Sequence, residues 1–242
     1  MAVRTRLGML TPSSNTVLEP VTCAMLAGLP DVTAHFSRFP VTEIALSPAA
    51  LGQFDDTPIL GAAALLAHAR VDVIAWNGTS ASWIGFDSDE RLSARITEAT
   101  GIPARTTVLA YRALFRRMGV RRVGLVTPYT DDVQARIQAN WGAAGFACPA
   151  ERHLGLADNF SFAEVEPETI AGMARAVAAE GCDAVAVVCT NMDGARIAAS
   201  LEEELDMPVL DSVAVTAWAC LSAAGIDTGR IAGWGRVFSM TP

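Results

Sequence analysis

Residues 6–12, RLGMLTP, and residues 122–128, RVGLVTP, are two copies of one pattern, an apolar and β-branched run that ends in a Thr-Pro turn. A second pair follows at a comparable distance: residues 72–80, DVIAWNGTS, and residues 183–191, DAVAVVCTN. Each copy has the composition of a buried strand that runs into a polar loop. The repetition indicates that the chain contains the same βα arrangement twice.

A third pair, residues 102–104 and residues 207–209, keeps the same order. One matching pair of βα units could arise from shared apolar patterns alone, whereas three pairs in register favour duplication. Strands alternate with helical stretches, which predicts an α/β fold of two pseudo-symmetric lobes, each a mainly parallel sheet flanked by helices. We expect residues 1–105 with 212–242 in lobe one and residues 106–211 in lobe two.

The periodicity of apolar residues predicts the individual elements. The expected strands are Arg6–Thr11, Val32–Phe39, Val71–Trp76, Arg122–Thr127, Ala184–Val188 and Pro208–Leu210. The expected helices are Pro58–Ala69, Asp87–Thr100, Thr107–Met118, Asp131–Ala144, Glu168–Glu180, Asp193–Leu205 and Val213–Ala224. Glycines that follow the last periodic residue of a helix are expected to end it in a left-handed conformation; they are Gly101, Gly119, Gly145, Gly181 and Gly225.

Composition excludes several classes of function. The chain has 242 residues, 51% of them hydrophobic, and 26 acidic against 18 basic residues give a net charge of −8. This charge disfavours nucleic acid and anionic membranes as partners, and no apolar run approaches the ~18–20 residues that span a bilayer. All 18 basic residues are arginine. Lysine-dependent chemistry is thereby excluded: Schiff-base and pyridoxal-phosphate catalysis and Walker-type nucleotide binding.

Histidine and cysteine spacing gives no reason to expect a zinc site or a dithiol redox centre. The three histidines are scattered, and no C-x-x-C pair occurs among the five cysteines. An odd number of cysteines and a short apolar stretch at the N-terminus favour a reducing, cytoplasmic location. We expect a small-molecule substrate and leave the formation of a homo-oligomer open.

Ligands of parallel α/β sheets bind where the carboxyl ends of the strands meet, so the repeated loops become the candidate site in a cleft between the lobes. One pair of loops contains residues 12–15 and residues 128–130. The other pair contains residues 78–80 and residues 189–191.

Cys189 is the strongest candidate for chemistry, because it lies where an apolar strand passes into a polar loop and a helix. A helix N-terminus at this position would lower the pKa of the thiol and make it reactive in proton transfer. The alternative is a buried structural cysteine, which is how we interpret the other four: Cys23, Cys148, Cys182 and Cys220.

The loop of Gly78, Thr79 and Ser80 occupies the corresponding position in the other half. It offers two hydroxyls and consecutive N–H groups to an anion, with Gly78 leaving room; the alternative is a helix cap. Tyr129 could donate to a carboxylate. Asn159 is equally well explained by a turn.

A further set of polar loop residues could either bind a ligand or form turns and caps. This set consists of Pro12, Ser13, Asn15, Thr190 and Asn191.

These residues together resemble the arylmalonate decarboxylase and maleate isomerase group of the aspartate/glutamate racemase superfamily. The motifs that carry the resemblance are residues 12–16 (PSSNT), 78–80 (GTS), 127–133 (TPYTDDV), Cys189 and the ending Gly235–Phe238. The resemblance covers essentially the whole chain. It implies a cofactor-free enzyme that acts on a small dicarboxylate through an enediolate-like carbanion.

The resemblance also implies a difference between the two lobes. Racemases and isomerases of this superfamily place a cysteine on each lobe, whereas here only Cys189 is present and Gly78 stands opposite. Decarboxylases similarly carry Gly-Thr-Ser in place of the first cysteine. In contrast, residues 12–15 and Asn159 are more similar to maleate isomerases, which use asparagines on the substrate carboxylates.

The leading hypothesis is therefore decarboxylation of a malonate-type diacid, in which Cys189 protonates one face of the enediolate. The hydrogen-bond donors to the enediolate oxygens would come from Gly78, Thr79, Ser80, Tyr129 and Thr190. The alternative within enzymes is a maleate cis-trans isomerase or a racemase of a small dicarboxylate. A non-catalytic carboxylate sensor is the alternative outside enzymes, and a reactive Cys189 would argue against it.

Overall fold

The computed structural model describes residues 4–240, which contain two parallel sheets of four strands each. The first sheet consists of β1 (Thr5–Pro12), β2 (Val32–Phe39), β3 (Val73–Trp76) and β4 (Ala104–Thr106) in the order β2-β1-β3-β4. The second consists of β5 (Arg122–Thr127), β6 (Ala147–His153), β7 (Ala184–Val187) and β8 (Val209–Asp211) in the order β6-β5-β7-β8. The two sheets thus share one topology.

The helices connect the strands as parallel crossovers require. The first half contains α1 (Leu18–Leu26), α2 (Pro48–Gly52), α3 (Asp56–His68), α4 (Ala81–Ile84) and α5 (Phe86–Thr100). The rest of the described chain contains α6 (Thr107–Met118), α7 (Asp131–Ala143), α8 (Pro167–Ala179), α9 (Ala195–Leu205) and α10 (Ser212–Ala223). Short 3-10 helices lie at Ser161–Glu164, Thr228–Arg230 and Arg236–Ser239. No helix within residues 4–240 is long and apolar enough to cross a membrane.

Strand register repeats along with strand order. Leu10 of β1 is paired with Trp76 of β3, and Val126 of β5 is paired with Val187 of β7. Gly78 and Cys189 each lie two residues after these equivalent strand residues, so they occupy equivalent positions. The expected α/β fold with two similar parallel sheets is confirmed, while the proposed division of the chain into lobes at residues 105 and 211 stays a prediction.

The predicted helix ends at glycine are confirmed. All five glycines have positive φ, from 71° at Gly101 to 93° at Gly145, a conformation in which a side chain would be strained. All predicted elements are found to within two residues at each end. The largest differences are at the first residue: α3 begins at Asp56 rather than Pro58, β3 at Val73 rather than Val71, and α9 at Ala195 rather than Asp193.

Apart from the three 3-10 helices, five short elements of residues 4–240 were not predicted: α1, α2, α4, β4 and β6. Three have five residues or fewer, too few for a period to show. β6 is an edge strand with the sequence ACPAERH, in which exposed and half-buried residues predominate. An edge strand lacks the continuous apolar run of a central parallel strand, which β7 has.

Contacts across the centre of the molecule bring the two sheets together. α10 packs against β3 and β4 of the first sheet and β8 of the second. In addition, the N–H of Ile44 in the first half donates to the carbonyl of Ala157 in the second half over 2.8 Å. The loops at the carboxyl ends of both sheets consequently face one another.

Candidate active site

Four predicted loops meet at the carboxyl ends of β1, β3, β5 and β7. The Thr79 and Tyr129 hydroxyls are 2.7 Å apart and hydrogen-bonded. Asn15 Nδ2 donates to Thr190 Oγ1 over 3.1 Å, and Thr190 Oγ1 donates to the carbonyl of Asn77 over 3.2 Å. Residues that are far apart in sequence are therefore joined in one cluster, as the duplication predicts.

Cys189 lies at the centre of this cluster and is 3% exposed. The N–H of Asn191 donates to its Sγ over 3.3 Å, and the Tyr129 hydroxyl lies beside the thiol. Burial raises the pKa of Cys189 to about 12, and the nearby carboxyl of Asp211 acts in the same direction. The thiol is consequently neutral and holds a proton.

The expected lowering of the Cys189 pKa is wrong. A helix N-terminus would have to lie next to the sulfur, but α9 begins at Ala195, six residues along the chain. The field of a helix end weakens within about one turn, so it does not offset the desolvation of a buried thiolate. The buried Cys189 thiol therefore keeps its proton rather than existing as a thiolate.

Tyr129 is held in place by aromatic side chains from both halves of the chain. Its ring centroid is 5.2 Å from that of Trp83 and 5.6 Å from that of Phe162, both edge-on. Burial raises the pKa of Tyr129 well above its usual range, with Cys189 adding to the effect. The phenol therefore keeps its proton and bridges the Cys189 thiol and the Thr79 hydroxyl.

The loop of Gly78, Thr79 and Ser80 leaves its backbone donors free. The N–H groups of these three residues and of Thr190 donate no hydrogen bond within residues 4–240. α4 begins next at Ala81, and the side chain of its N-cap residue Ser80 makes no capping hydrogen bond. The capping interpretation is therefore wrong here, and the loop retains the donors that an anion would need.

Asn159 and Asn191 hydrogen-bond to the chain itself. Asn191 Oδ1 accepts from the N–H groups of Thr16 and Val17 over 2.9 and 3.3 Å, and its Nδ2 donates to the Asn159 carbonyl over 2.5 Å. Asn159 Nδ2 donates to Ser14 Oγ over 2.7 Å. These amides join loops from both halves of the chain; their role in substrate binding stays a prediction.

Residues 12–15 form a turn, as one of the two interpretations predicts. Pro12 ends β1, and its carbonyl accepts from the N–H of Asn15 over 3.0 Å. Ser13 Oγ donates to the Val41 carbonyl over 3.3 Å and accepts from the Val41 N–H over 3.1 Å. Asn15 Oδ1 accepts from the N–H of Leu18, the first residue of α1, over 2.9 Å. These groups shape the wall of the site.

A buried carboxyl behind Cys189 escaped the sequence analysis. Asp211 is fully buried and caps α10 by accepting from the N–H groups of Val213 and Ala214 over 2.7 and 3.2 Å. Burial raises its pKa to about 8. A β-strand that runs directly into a helix was the available signal, since Asp is a preferred N-cap residue.

Trp76, the last residue of β3, was also overlooked. Its indole lies against Gly78, and a methyl group built on that glycine would overlap the ring atoms Cε2, Cζ2 and Cη2. A signal was present in the repeated motif, because the equivalent residue in the second copy is the much smaller Val187.

Comparison with known proteins agrees with the resemblance in the sequence. A model of the arylmalonate decarboxylase family matches residues 16–238. An arylmalonate decarboxylase from Bordetella bronchiseptica is 31% identical over 169 residues, 69% of this chain and 70% of that protein. A maleate isomerase from Pseudomonas putida is 26% identical over 235 residues, 92% of each chain.

A solved structure shows the same fold. It is that of Nocardia farcinica maleate cis-trans isomerase, a cysteine-to-serine mutant with a covalently bound succinylcysteine intermediate. Its TM-score is 0.88 at 24% identity, and the match covers 97% of this chain and 98% of that one. The relatives are enzymes, and this chain is an enzyme that belongs to the arylmalonate decarboxylase family.

Proposed function

We propose that the protein is a cofactor-independent decarboxylase of a malonate-type dicarboxylic acid, which works through an enediolate that Cys189 protonates. The observation that carries this proposal is the asymmetry of two equivalent positions. One holds a buried, neutral thiol, and the other holds Gly78 with free N–H donors around it.

The free donors suit the charge that decarboxylation produces. When CO2 leaves, the electron pair of the broken C–C bond delocalises onto the two oxygens of the remaining carboxylate. The N–H groups of Gly78, Thr79 and Ser80 and the hydroxyls of Thr79 and Tyr129 lie together where they can donate to those oxygens. Donors fixed in a buried site stabilise developing charge without reorganising, and one such donor is typically worth roughly 10²–10³ in rate.

The neutral thiol suits the second step. The Cys189 Sγ–H bond breaks, a C–H bond forms at the carbanion carbon, and a thiolate remains. The Asn191 N–H, 3.3 Å from the sulfur, and the Tyr129 hydroxyl stabilise that thiolate. Solvent then returns one proton to the sulfur, which restores the enzyme. A donor on one face makes the product chiral.

The alternative is an isomerase mechanism, because the Pseudomonas and Nocardia relatives are maleate isomerases. The Nocardia enzyme keeps a substrate-bonded cysteine although another cysteine is replaced by serine, so it has at least two cysteines. In this chain Gly78 occupies the position equivalent to Cys189. The other cysteines lie elsewhere, with Cys23 exposed on α1 and Cys220 buried in α10. The lack of a second thiol at the loops favours decarboxylation.

The test is a panel of substrates with two readouts. The purified protein is incubated with 2-aryl-2-methylmalonates, maleate and amino diacids, while CO2 release and proton NMR are followed. We expect CO2 from a malonate and a single product enantiomer. Conversion of maleate to fumarate without CO2 would replace this proposal by the isomerase.

A further inference from the structure

The indole of Trp76 fills the space next to Gly78. Trp76 is 1% exposed, and a methyl group at residue 78 would overlap Cε2, Cζ2 and Cη2 of the ring. Any side chain at residue 78 would therefore require the ring to move. Glycine at this position and tryptophan two residues earlier are linked by this contact.

The duplication indicates that this space corresponds to the one that the Cys189 thiol occupies in the second half. Because Trp76 and Val187 hold the same place in the strand register, the direction in which residue 78 would project a side chain corresponds to that of the Cys189 thiol. Cys189 approaches the enediolate from one face. The equivalent space in the first half lies on the other face, and the Trp76 ring stands in it.

Two side chains pack beside the ring. Its centroid is 5.2 Å from that of Phe39, and the buried carboxyl of Asp89 lies beside it. The indole also borders a cavity of about 410 Å³ that is lined by Ile59, Leu92 and Ser80 of the Gly78 loop. Trp76 thus lies against Gly78 and lines this cavity at the same time.

We propose that Trp76 is a specificity-determining residue that covers the face of the enediolate opposite Cys189 and excludes water from it. The carbanion carbon then receives its proton from Sγ of Cys189 alone. When the ring is absent, a water molecule reaches the second face, its O–H bond breaks, the C–H bond forms there, and hydroxide is left. This inference rests on the proposed decarboxylation.

The test compares the enantiomers formed from a 2-aryl-2-methylmalonate by wild type, Trp76→Val and Trp76→Phe. Valine is the residue at the equivalent position of the second copy, and phenylalanine keeps an aromatic ring. We expect Trp76→Val to lower the enantiomer ratio at least about tenfold, which corresponds to a difference of roughly 1.4 kcal/mol between the two protonation barriers. Trp76→Phe should lower the ratio less.

Trp141→Phe is the matched control, because Trp141 is equally buried but packs against Tyr111 and Phe115. It should lose stability while the enantiomer ratio stays at the wild-type value. Thermal melting checks that each variant is folded; if Trp76→Val unfolds, Trp76→Leu takes its place with the same expected fall in ratio.

Two results would overturn the inference. An unchanged ratio in a folded, active Trp76→Val or Trp76→Leu variant removes the role of Trp76 and leaves the decarboxylase proposal intact. If wild type releases no CO2 from any diacid, the decarboxylase proposal fails first and the role of Trp76 fails with it.

Discussion

The loop after β3 (residues 77–80) and the loop after β7 (residues 188–191) end equivalent strands of two similar sheets, yet they carry different chemistry. The first has glycine with free N–H groups, and the second has a buried thiol. A hydrogen bond from Thr190 Oγ1 to the Asn77 carbonyl joins them. Duplicated backbones therefore present different groups at equivalent positions, backbone donors in one copy and a thiol in the other.

Two pairs of residues account for the difference. Cys189 is matched by Gly78, and Val187 is matched by Trp76. In the first copy a large indole on the strand precedes a glycine in the loop; in the second copy the smaller Val187 precedes Cys189. The strand residue is therefore smaller where the loop residue has a side chain, and only one of the two loops presents a thiol.

The largest effect is expected from removing the proton donor. Cys189→Ala should lower the rate of decarboxylation by ~10²–10⁴, because the carbanion loses its positioned acid while the anion-binding donors remain. CO2 release measured at fixed times gives the rate. The Cys189→Ala variant should still bind an arylmalonate analogue. Cys220→Ala is the control, since Cys220 is fully buried in α10. Equal losses in both variants would show that the effect is structural.

Removing a donor from the other side of the site should have the next largest effect. Tyr129→Phe deletes the hydroxyl that contacts both Thr79 and Cys189, and we expect kcat to fall by roughly 10²–10³ with a smaller change in KM. Tyr111→Phe is a matched control, because its hydroxyl donates to the Val187 carbonyl over 2.9 Å. A change in KM alone for Tyr129→Phe would make Tyr129 a ground-state contact.

The difference between Gly78 and Cys189 can be tested by placing a thiol at residue 78 of the first copy. Gly78→Cys should lower the free energy of unfolding by about 1–3 kcal/mol, because the new side chain overlaps the Trp76 indole. Gly78→Cys with Trp76→Val should lose less than the sum of the two single changes, and its second thiol should make the product racemise. Denaturant unfolding and chiral chromatography are the measurements. Strict additivity in unfolding would contradict the overlap.

A different kind of effect, without a change in the site loops, is a pH dependence of stability at the N-cap of α10. The pKa of Asp211 rises from its ordinary 3.8 to about 8 in the folded protein, so the folded state holds the proton over this range. Its contribution to stability is fully present below 3.8 and is lost as pH rises towards 8. Asp211→Asn keeps the cap, so the difference in stability between variant and wild type should shift in favour of the variant with rising pH.

Asp55 provides a control with the opposite sign. It caps α3 from an exposed position, and its hydrogen bond from the Thr57 N–H lowers its pKa. Its contribution to stability is present above 3.8 and is lost as pH falls. Urea unfolding between pH 2 and pH 8 therefore separates the two; a parallel pH response of Asp55→Asn and Asp211→Asn would contradict the assigned environments.

Much of the architecture can be predicted from local sequence. The repeated RLGMLTP and RVGLVTP motifs predict two similar parallel sheets, and the spacing within each copy makes Gly78 equivalent to Cys189. Both inferences depend on apolar periodicity and on the order of elements along the chain, which are local properties. The candidate loops follow, because ligands of parallel sheets bind at the carboxyl ends of the strands.

The protonation state of Cys189 and the position of Trp76 were decided by the tertiary structure alone. The thiol is neutral because residues distant in sequence exclude water from it, and the indole covers Gly78 because Phe39 and Asp89 hold the ring there. Desolvation and side-chain packing arise from contacts between distant segments, which no local pattern specifies. The sequence by itself determined the duplicated α/β fold and the candidate site's loops; only packing keeps the Cys189 thiol protonated and places the Trp76 indole against Gly78.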